Sequence, residues 1–477
     1  MKKPNKLPDP QKDMPAWYQE LLQRAELAEW SSVKGFPVIR PNAFAIWELI
    51  QQAIDLKLKE RNVRNAYFPL LIPQSLISRE KDHVAGFAPE FAVVTEAGGA
   101  KLSEPLIVRP TSETIIHESM ARWITSYRDL PMRLNVWGNV VRWEKRPRLF
   151  LRGSEFLWQE GHTAHVNEAY ARREVQKMVA LYYDIIAALL AIPTVKGMKS
   201  DDERFAGAVE SHSVEGLMPD GRGLQMGTIH YLGEKFSKMA NVTFVDRDGT
   251  KRFVHMTSWG VSTRLIGALI MTHGDERGLV LPPRVAPVQV VVVPVAVEKD
   301  RAGILGTAKS VVERLKALGV RVRFDEREGM MPGEKFYEHD LHGVPLRIDI
   351  GPLNVAAGSL SLSWRRFWGK ETVVLDAIDQ IPARLQAFQE VLYTNALAAL
   401  ERHTIDLCDR DDFIEALNSQ RGFIRVGWCG SPRCSHEIKQ KTSATIRNLP
   451  YEQHEKVPNC IWCGTKGLFT ALFAKAY

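Results

Sequence analysis

Residues 138–165 read Gly138-Asn-Val-Val-Arg142-Trp-Glu144, a basic turn Lys145-Arg-Pro-Arg148, and then Arg152-Gly-Ser-Glu-Phe156-Leu-Trp158-Gln-Glu160-Gly-His162-Thr-Ala-His165. On a strand, residues two apart share a face, so Arg142 and Glu144 project together while Val141 and Trp143 point the other way. The turn Lys145–Arg148 reverses the chain, and the alternation resumes with Phe156, Trp158, Glu160 and His162 on one face. The pattern predicts a hairpin surface carrying a guanidinium, carboxylates, an imidazole and aromatic walls. Arg offers planar bidentate donors to a phosphate, and a carboxylate accepts from an exocyclic amine such as that of adenine. The same alternation also describes a half-buried amphipathic hairpin with a solvated charged face.

The 477 residues suit about three domains at roughly 100–200 residues each. Hydrophobic residues make up 45%, and the net charge of +7, with pI near 9.0, permits a polyanionic partner without demanding one. No run approaches the roughly 18 apolar residues of a membrane helix; the nearest, Val285–Val297, is interrupted by Pro287, Gln289 and Pro294. Met1–Tyr18 is charged and Pro-rich, without the apolar core of a secretory signal, so a cytoplasmic protein is expected. Five cysteines in so long a chain do not make a disulfide framework.

Taken in order, the chain predicts an amphipathic helix with Trp17, Leu21, Leu22, Ala25 and Leu27 inward, a helix over Ala43–Glu60, and a strand over Ala66–Ile72 broken by Pro69. In Arg109-Pro-Thr111-Ser112-Glu113, Thr111 or Ser112 serves as N-cap of a helix over Thr114–Tyr127, with Glu113 in its first turn. A helix over Asn167–Ala191 follows the hairpin. The apolar Phe205-Ala-Gly-Ala208 and the strand-like Gln225-Met-Gly-Thr228-Ile-His230 come next. A helix over Val261–Thr272 leads to Gly274-Asp-Glu-Arg277. From residue 284, strands (284–296, Val320–Asp325, Pro345–Ile350, Glu371–Leu375) alternate with helices (Arg301–Leu318, Gly333–Leu341), as in a mixed α/β sheet. Near the C-terminus, Cys429-x4-Cys434 and Cys460-x2-Cys463 suit tetrahedral zinc with four thiolates, a closed structural shell; Cys408 lies outside the pattern and reads as a buried thiol.

The hairpin stretch resembles motif 2 of the class II aminoacyl-tRNA synthetases, in the form carried by prolyl-tRNA synthetases. The Ala43–Glu60 helix with the Pro69 strand resembles motif 1, which forms the dimer interface in that family, and Gly274–Arg277 resembles motif 3. Val285-Ala-Pro and Gly343-Val-Pro-Leu-Arg-Ile-Asp-Ile-Gly-Pro352 resemble the anticodon-binding domain of class IIa enzymes. The ending Phe-Ala-Lys-Ala-Tyr477 is similar to that of the archaeal and eukaryotic-like branch, whose terminal Tyr is ordered and reaches toward the active site.

The resemblance implies an α/β (α+β) architecture of three units. Residues 1–283 would form a catalytic core on an antiparallel sheet, 284–398 a mixed α/β anticodon-binding domain, and 399–477 a small zinc-binding α/β domain. It implies ATP-dependent attachment of L-proline to tRNA(Pro) through a prolyl-adenylate, with Mg2+ on the phosphates, by a homodimer. Proline would be held by Thr111, Glu113, Trp158, Glu160, His162 and Phe205. Arg142, the catalytic residue, would bind ATP together with Glu144, Arg152, Gln225, Thr228 and Arg277, the last at the γ-phosphate. Asp340, Arg347 and Lys370 would read the two guanines common to proline anticodons, and Cys429, Cys434, Cys460 and Cys463 would hold zinc. The interval between Glu160 and Arg277 is too short for the bacterial editing insertion, so cis-editing of alanine misacylated onto tRNA is not expected; separately, a pocket selecting by apolar size leaves room for some mischarging with alanine or cysteine. A synthetase for threonine or histidine, or a synthetase-like RNA-binding protein without catalysis, shares parts of this pattern.

Overall fold

The computed structural model describes residues 6–78, 91–295, 300–419, 422–453 and 456–477. Residues 1–5 of the expected N-terminal start, and residue 296 of the expected strand, lie outside them. Among the described residues, no helix is long and apolar enough to cross a membrane.

An eleven-stranded sheet carries the site. Its strands run in the order Thr404–Asp406, Phe423–Trp428, Phe469–Lys475, Ala444–Pro450, Val195–Met198, Glu210–Leu217, Gly223–Gly233, His255–Ser262, Glu155–His165, Met132–Val141 and Arg64–Asn65. All neighbours are antiparallel except the pair at each edge. The expected hairpin is there: Met132–Val141 pairs with Glu155–His165, Val136 opposite Glu160 and Gly138 opposite Trp158. Its turn is longer than the sequence suggests. Arg142 and Glu144 lie beyond the strand end, in a loop where Arg142 N–H donates to the Ser154 carbonyl (2.8 Å) and Glu144 N–H to Ser154 Oγ (3.1 Å).

One face of this sheet packs on Pro41–Lys59, Glu168–Leu190 and Arg264–His273. The first starts with Pro41 in its opening turn, where a missing N–H costs nothing, and ends with Lys57 and Lys59 against its negative pole. The second is capped by Asn167, whose side chain accepts from Tyr170 N–H at 3.0 Å. The N-terminal helix Met14–Arg24 adds Trp17, Leu21 and Leu22, all buried as its spacing requires. Ala66–Leu70 is not a strand: Pro69 lacks a ladder donor, and pairing is confined to Arg64–Asn65 and Leu71–Pro73.

A second sheet, ordered Val322–Phe324, Val290–Pro294, Leu346–Ile350, Ser359–Trp364, Lys370–Val374, forms the expected mixed α/β unit around its own core. The chain leaves it through one helix, Ile381–Arg402, which runs across the expected boundary at 398/399. The C-terminal strands are continuous with the large sheet, because Leu449 and Pro450 pair with Met198 and Gly197.

Candidate active site

A cavity of about 360 Å3 opens over the central strands. Thr111, Glu113, Arg142, Glu144 and Arg152 line it, as do Phe156, Trp158, Glu160 and His162 of the returning strand and Phe205, Gln225 and Thr228. Every residue expected at the proline and ATP subsites therefore faces one space, except Arg277.

Period-two alternation explains the wall from Phe156 to His162. Gly161, on the opposite face, must be small, because a Cβ there would overlap the Trp259 indole. At one end of the cavity the groups form a buried acid–base cluster. Thr111 Oγ1 donates to Glu113, Ser112 Oγ donates to Glu160, and Glu160 Oε2 lies 3.1 Å from His162 Nε2. Ser112 does occupy the cap position of the helix Glu113–Trp123, yet its hydroxyl goes to Glu160 rather than to a backbone N–H. Burial pulls the His162 pKa down, but the hydrogen bond to Glu160 and the charges of Glu160 and Glu113 outweigh it, leaving the imidazole more basic than usual. Phe205 closes this end by stacking on His230 at 4.5 Å, with Ser211 Oγ accepting from Phe205 N–H (3.1 Å) and lying 2.8 Å from His230 Nδ1.

The other end is cationic. Arg142 Nε donates to the Pro110 carbonyl (2.9 Å), and its guanidinium lies 5.6 Å from the Phe156 ring and 5.5 Å from the Trp158 ring. Glu144 accepts from Arg152 Nε (2.5 Å) and Arg146 N–H (2.8 Å); burial raises its pKa, but these hydrogen bonds and the Arg152 charge outweigh it and hold the carboxyl below its usual range, so it is ionised.

Arg277 does not reach this cavity. It follows a full helix that carries it away, and it is half exposed, donating through Nη2 to the Arg365 carbonyl (2.5 Å) with Asp340 Oδ2 at 3.6 Å. The arginine of this helix that does line the cavity, beside Arg142 and Arg152, is Arg264 at its start. It donates to the carbonyls of Leu151 (3.1 Å) and Gln225 (3.1 Å), and burial pushes its pKa down to about 10. A strand ending at Ser262, with Thr263 at the cap position just ahead of the helix, was the available signal for it. Lys199 and Glu215 were also missed: Lys199 Nζ sits 3.1 Å from Glu215 Oε1, and Glu215 Oε2 accepts from Arg447 of the strand Ala444–Pro450 at 2.9 Å.

Arg347 and Lys370 of the second sheet meet at a residue not anticipated, Asp349, while Asp340, on the helix Pro332–Leu341, contacts Arg347 directly. Arg347 Nε donates to Asp349 at 2.8 Å, Lys370 Nζ lies 4.0 Å from it, and Arg347 Nη1 is 3.5 Å from Asp340. The four cysteines gather as their spacing predicts, all Sγ atoms lying within 4.8 Å of one another, with Cys429–Cys434 and Cys429–Cys463 at 3.7 Å. Thiolates on a tetrahedral zinc with bonds of about 2.3 Å are separated by about 3.8 Å, so the donor set fits that metal. Cys408 is exposed, not buried as expected. Tyr477 packs beside the hairpin loop: its hydroxyl donates to Asp220 (2.5 Å) and its ring lies 5.8 Å from Arg148.

Residues 96–273 match the tRNA synthetase class II core domain (G, H, P, S and T), 289–385 an anticodon binding domain, and 410–477 the prolyl-tRNA synthetase C-terminal domain. A proline–tRNA ligase of Symbiobacterium thermophilum is 46% identical over 98% of this chain and 97% of its own, and proline–tRNA ligase 2 of Rhodococcus jostii is 45% identical over 98% and 97%. The crystal structure of prolyl-tRNA synthetase from Cryptosporidium parvum, complexed with halofuginone and AMPPNP, superposes with a TM-score of 0.95 at 38% identity, covering 99% of both chains. The chain therefore belongs to the prolyl-tRNA synthetases, a family of the class II aminoacyl-tRNA synthetases.

Proposed function

We propose that this chain charges tRNA(Pro) with L-proline in two steps within the cavity just described. A proline carboxylate oxygen attacks the α-phosphorus of ATP, the bond to the bridging oxygen breaks, and pyrophosphate leaves. A terminal ribose hydroxyl of the tRNA then attacks the activated carbonyl, AMP departs, and the hydroxyl proton passes to phosphate or solvent. The protein contributes position and charge rather than a covalent nucleophile.

The observation that carries this reading is that Arg142, set against the Phe156 and Trp158 rings, lines one cavity with the carboxylates Glu113 and Glu160 and the guanidinium groups of Arg152 and Arg264. A secondary ammonium has two N–H donors, and the acceptors Thr111 and Glu113, with Glu160 and His162 behind, suit it. Trp158 and Phe205 bound the ring. Arg142 contacts the substrate carboxylate and α-phosphate, and Glu144 the adenine amine. Gln225 and Thr228 line the nucleotide, Arg152 is a further phosphate contact, and Arg264 replaces Arg277 at the outer phosphates. Mg2+ bound with ATP neutralises part of the phosphate charge.

Asp340, Arg347 and Lys370 read anticodon guanines, the four cysteines hold structural zinc, and two chains form a cytoplasmic dimer. Because apolar size alone discriminates by only about 10–200-fold per methylene, alanine and cysteine enter the pocket at reduced efficiency. Charging of tRNA(Pro) with labelled proline, alanine and cysteine tests the assignment. Proline should be attached far faster than the other two, and equal rates, or none with proline, would refute it.

A further inference from the structure

Arg277, absent from the cavity, belongs to a joint between the catalytic unit and the unit matched as anticodon binding. Asp275, two residues past the end of the Arg264–His273 helix, receives a bidentate pair from Arg365: Nη1 to Oδ2 at 2.9 Å and Nη2 to Oδ1 at 2.5 Å. The Arg365 side chain is fully buried and that of Asp275 is 13% exposed. Arg365 Nε donates to the Asp340 carbonyl (2.8 Å), and its own carbonyl accepts from Arg277. Arg366 Nη1 adds a bond to the His273 carbonyl (2.8 Å), and Trp17 Nε1 donates to the Asp275 carbonyl (2.9 Å).

Three geometric facts converge here. The helix whose first residue is Arg264, in the cavity, has ten residues and so spans about 15 Å, and Asp275 lies just past its far end. Arg365 follows the strand Ser359–Trp364, which is hydrogen-bonded to the strand bearing Arg347 and Asp349. Asp340, which touches Arg347 on one oxygen and Arg277 on the other, faces both sides of the joint. Burial raises the Asp275 pKa, but the Arg365 hydrogen bonds and charge outweigh it, so the pair is ionised at neutral pH.

We infer that the Arg365–Asp275 fork, with Arg277 and Asp340 beside it, is the seat fixing the anticodon-binding unit against the end of the Arg264 helix, making these positioning residues for tRNA charging that proline activation does not use. This rests on the function proposed above. A buried fork of this kind holds two units in one orientation because a guanidinium satisfies a carboxylate bidentately at a single relative angle.

The test uses the full chain carrying Asp275→Leu together with Arg365→Met. Replacing both partners of a buried ion pair by apolar residues is often neutral for stability, whereas removing one is not. Arg277→Met, on the exposed side, serves as a second variant. Proline-dependent ATP–pyrophosphate exchange and the melting temperature are measured beside kcat/KM for tRNA(Pro), both native and with its anticodon guanines replaced. Exchange should stay within about twofold, while kcat/KM for native tRNA falls about tenfold or more, a coupling within the usual 5–150-fold. The penalty for the altered anticodon should shrink as well, which a general loss of fold would not cause. Unchanged charging by both variants, or exchange falling in step with charging, would overturn the inference. An unmutated chain lacking proline-dependent exchange would instead refute the function on which it rests.

Discussion

Replacing Arg264 by Met separates the two arginines that compete for the outer phosphates. Arg264 spends two donors on the Leu151 and Gln225 carbonyls, which fixes its guanidinium over the cavity floor. A preorganised donor of this kind, aimed at charge that develops in the reaction, is worth about 10²–10³ in rate, or about 2.7–4 kcal/mol. Proline-dependent ATP–pyrophosphate exchange in Arg264→Met should therefore fall by that factor in kcat/KM for ATP. The substitution also strips two carbonyls of a donor, so Arg264→Lys, which keeps the charge but cannot bridge both, should recover only part of the loss. Arg277→Met, altering a half-exposed side chain outside the cavity, should exchange at the parental rate. Wild-type exchange in Arg264→Met, or an equal loss in Arg277→Met, would refute the assignment.

Three further outcomes follow from the geometry. Cys434→Ser, at a buried ligand position, should lower the bound zinc measured by elemental analysis and unfold residues 410–477 at lower temperature, since structural zinc contributes folding free energy directly. His162 has a folded pKa raised above its ordinary 6.5, so the stability it draws from Glu160 is complete below 6.5 and is lost as pH rises through the raised value; urea unfolding at about pH 6 and about pH 9 should show a smaller pH difference in His162→Gln than in the parent, and an identical difference would contradict the pairing. Gly161→Ala forces a methyl into the Trp259 ring and should cost about 1–3 kcal/mol of stability by denaturant titration.

What the sequence reveals is what depends on local periodicity. The alternation Phe156, Trp158, Glu160, His162 needs only a strand, and the strand formed. The cysteine spacings needed only a strand end, a helix start and a tight turn to bring the thiols together. Arg277 was misplaced because its Gly-x-Glu-Arg setting imitates a motif whose location depends on which end of a helix faces the cavity, a matter of packing rather than pattern. Ser359–Trp364 alternates Ser with buried Leu360, Leu362 and Trp364 and was readable as a strand, though short serine-rich runs also read as loops. The Glu215–Arg447 contact joins residues more than 200 positions apart and leaves no local trace. Ser112 looked like a helix cap because its sequence position is one; only the cavity behind it shows that the hydroxyl serves Glu160.

The most direct measurement is ATP–pyrophosphate exchange with each of the twenty amino acids, run without tRNA. Exchange that depends on proline, with weaker signals for alanine and cysteine, is the predicted result, because Arg142, Glu113 and Trp158 line one cavity. Exchange driven best by threonine or histidine, or by no amino acid at all, would contradict the account.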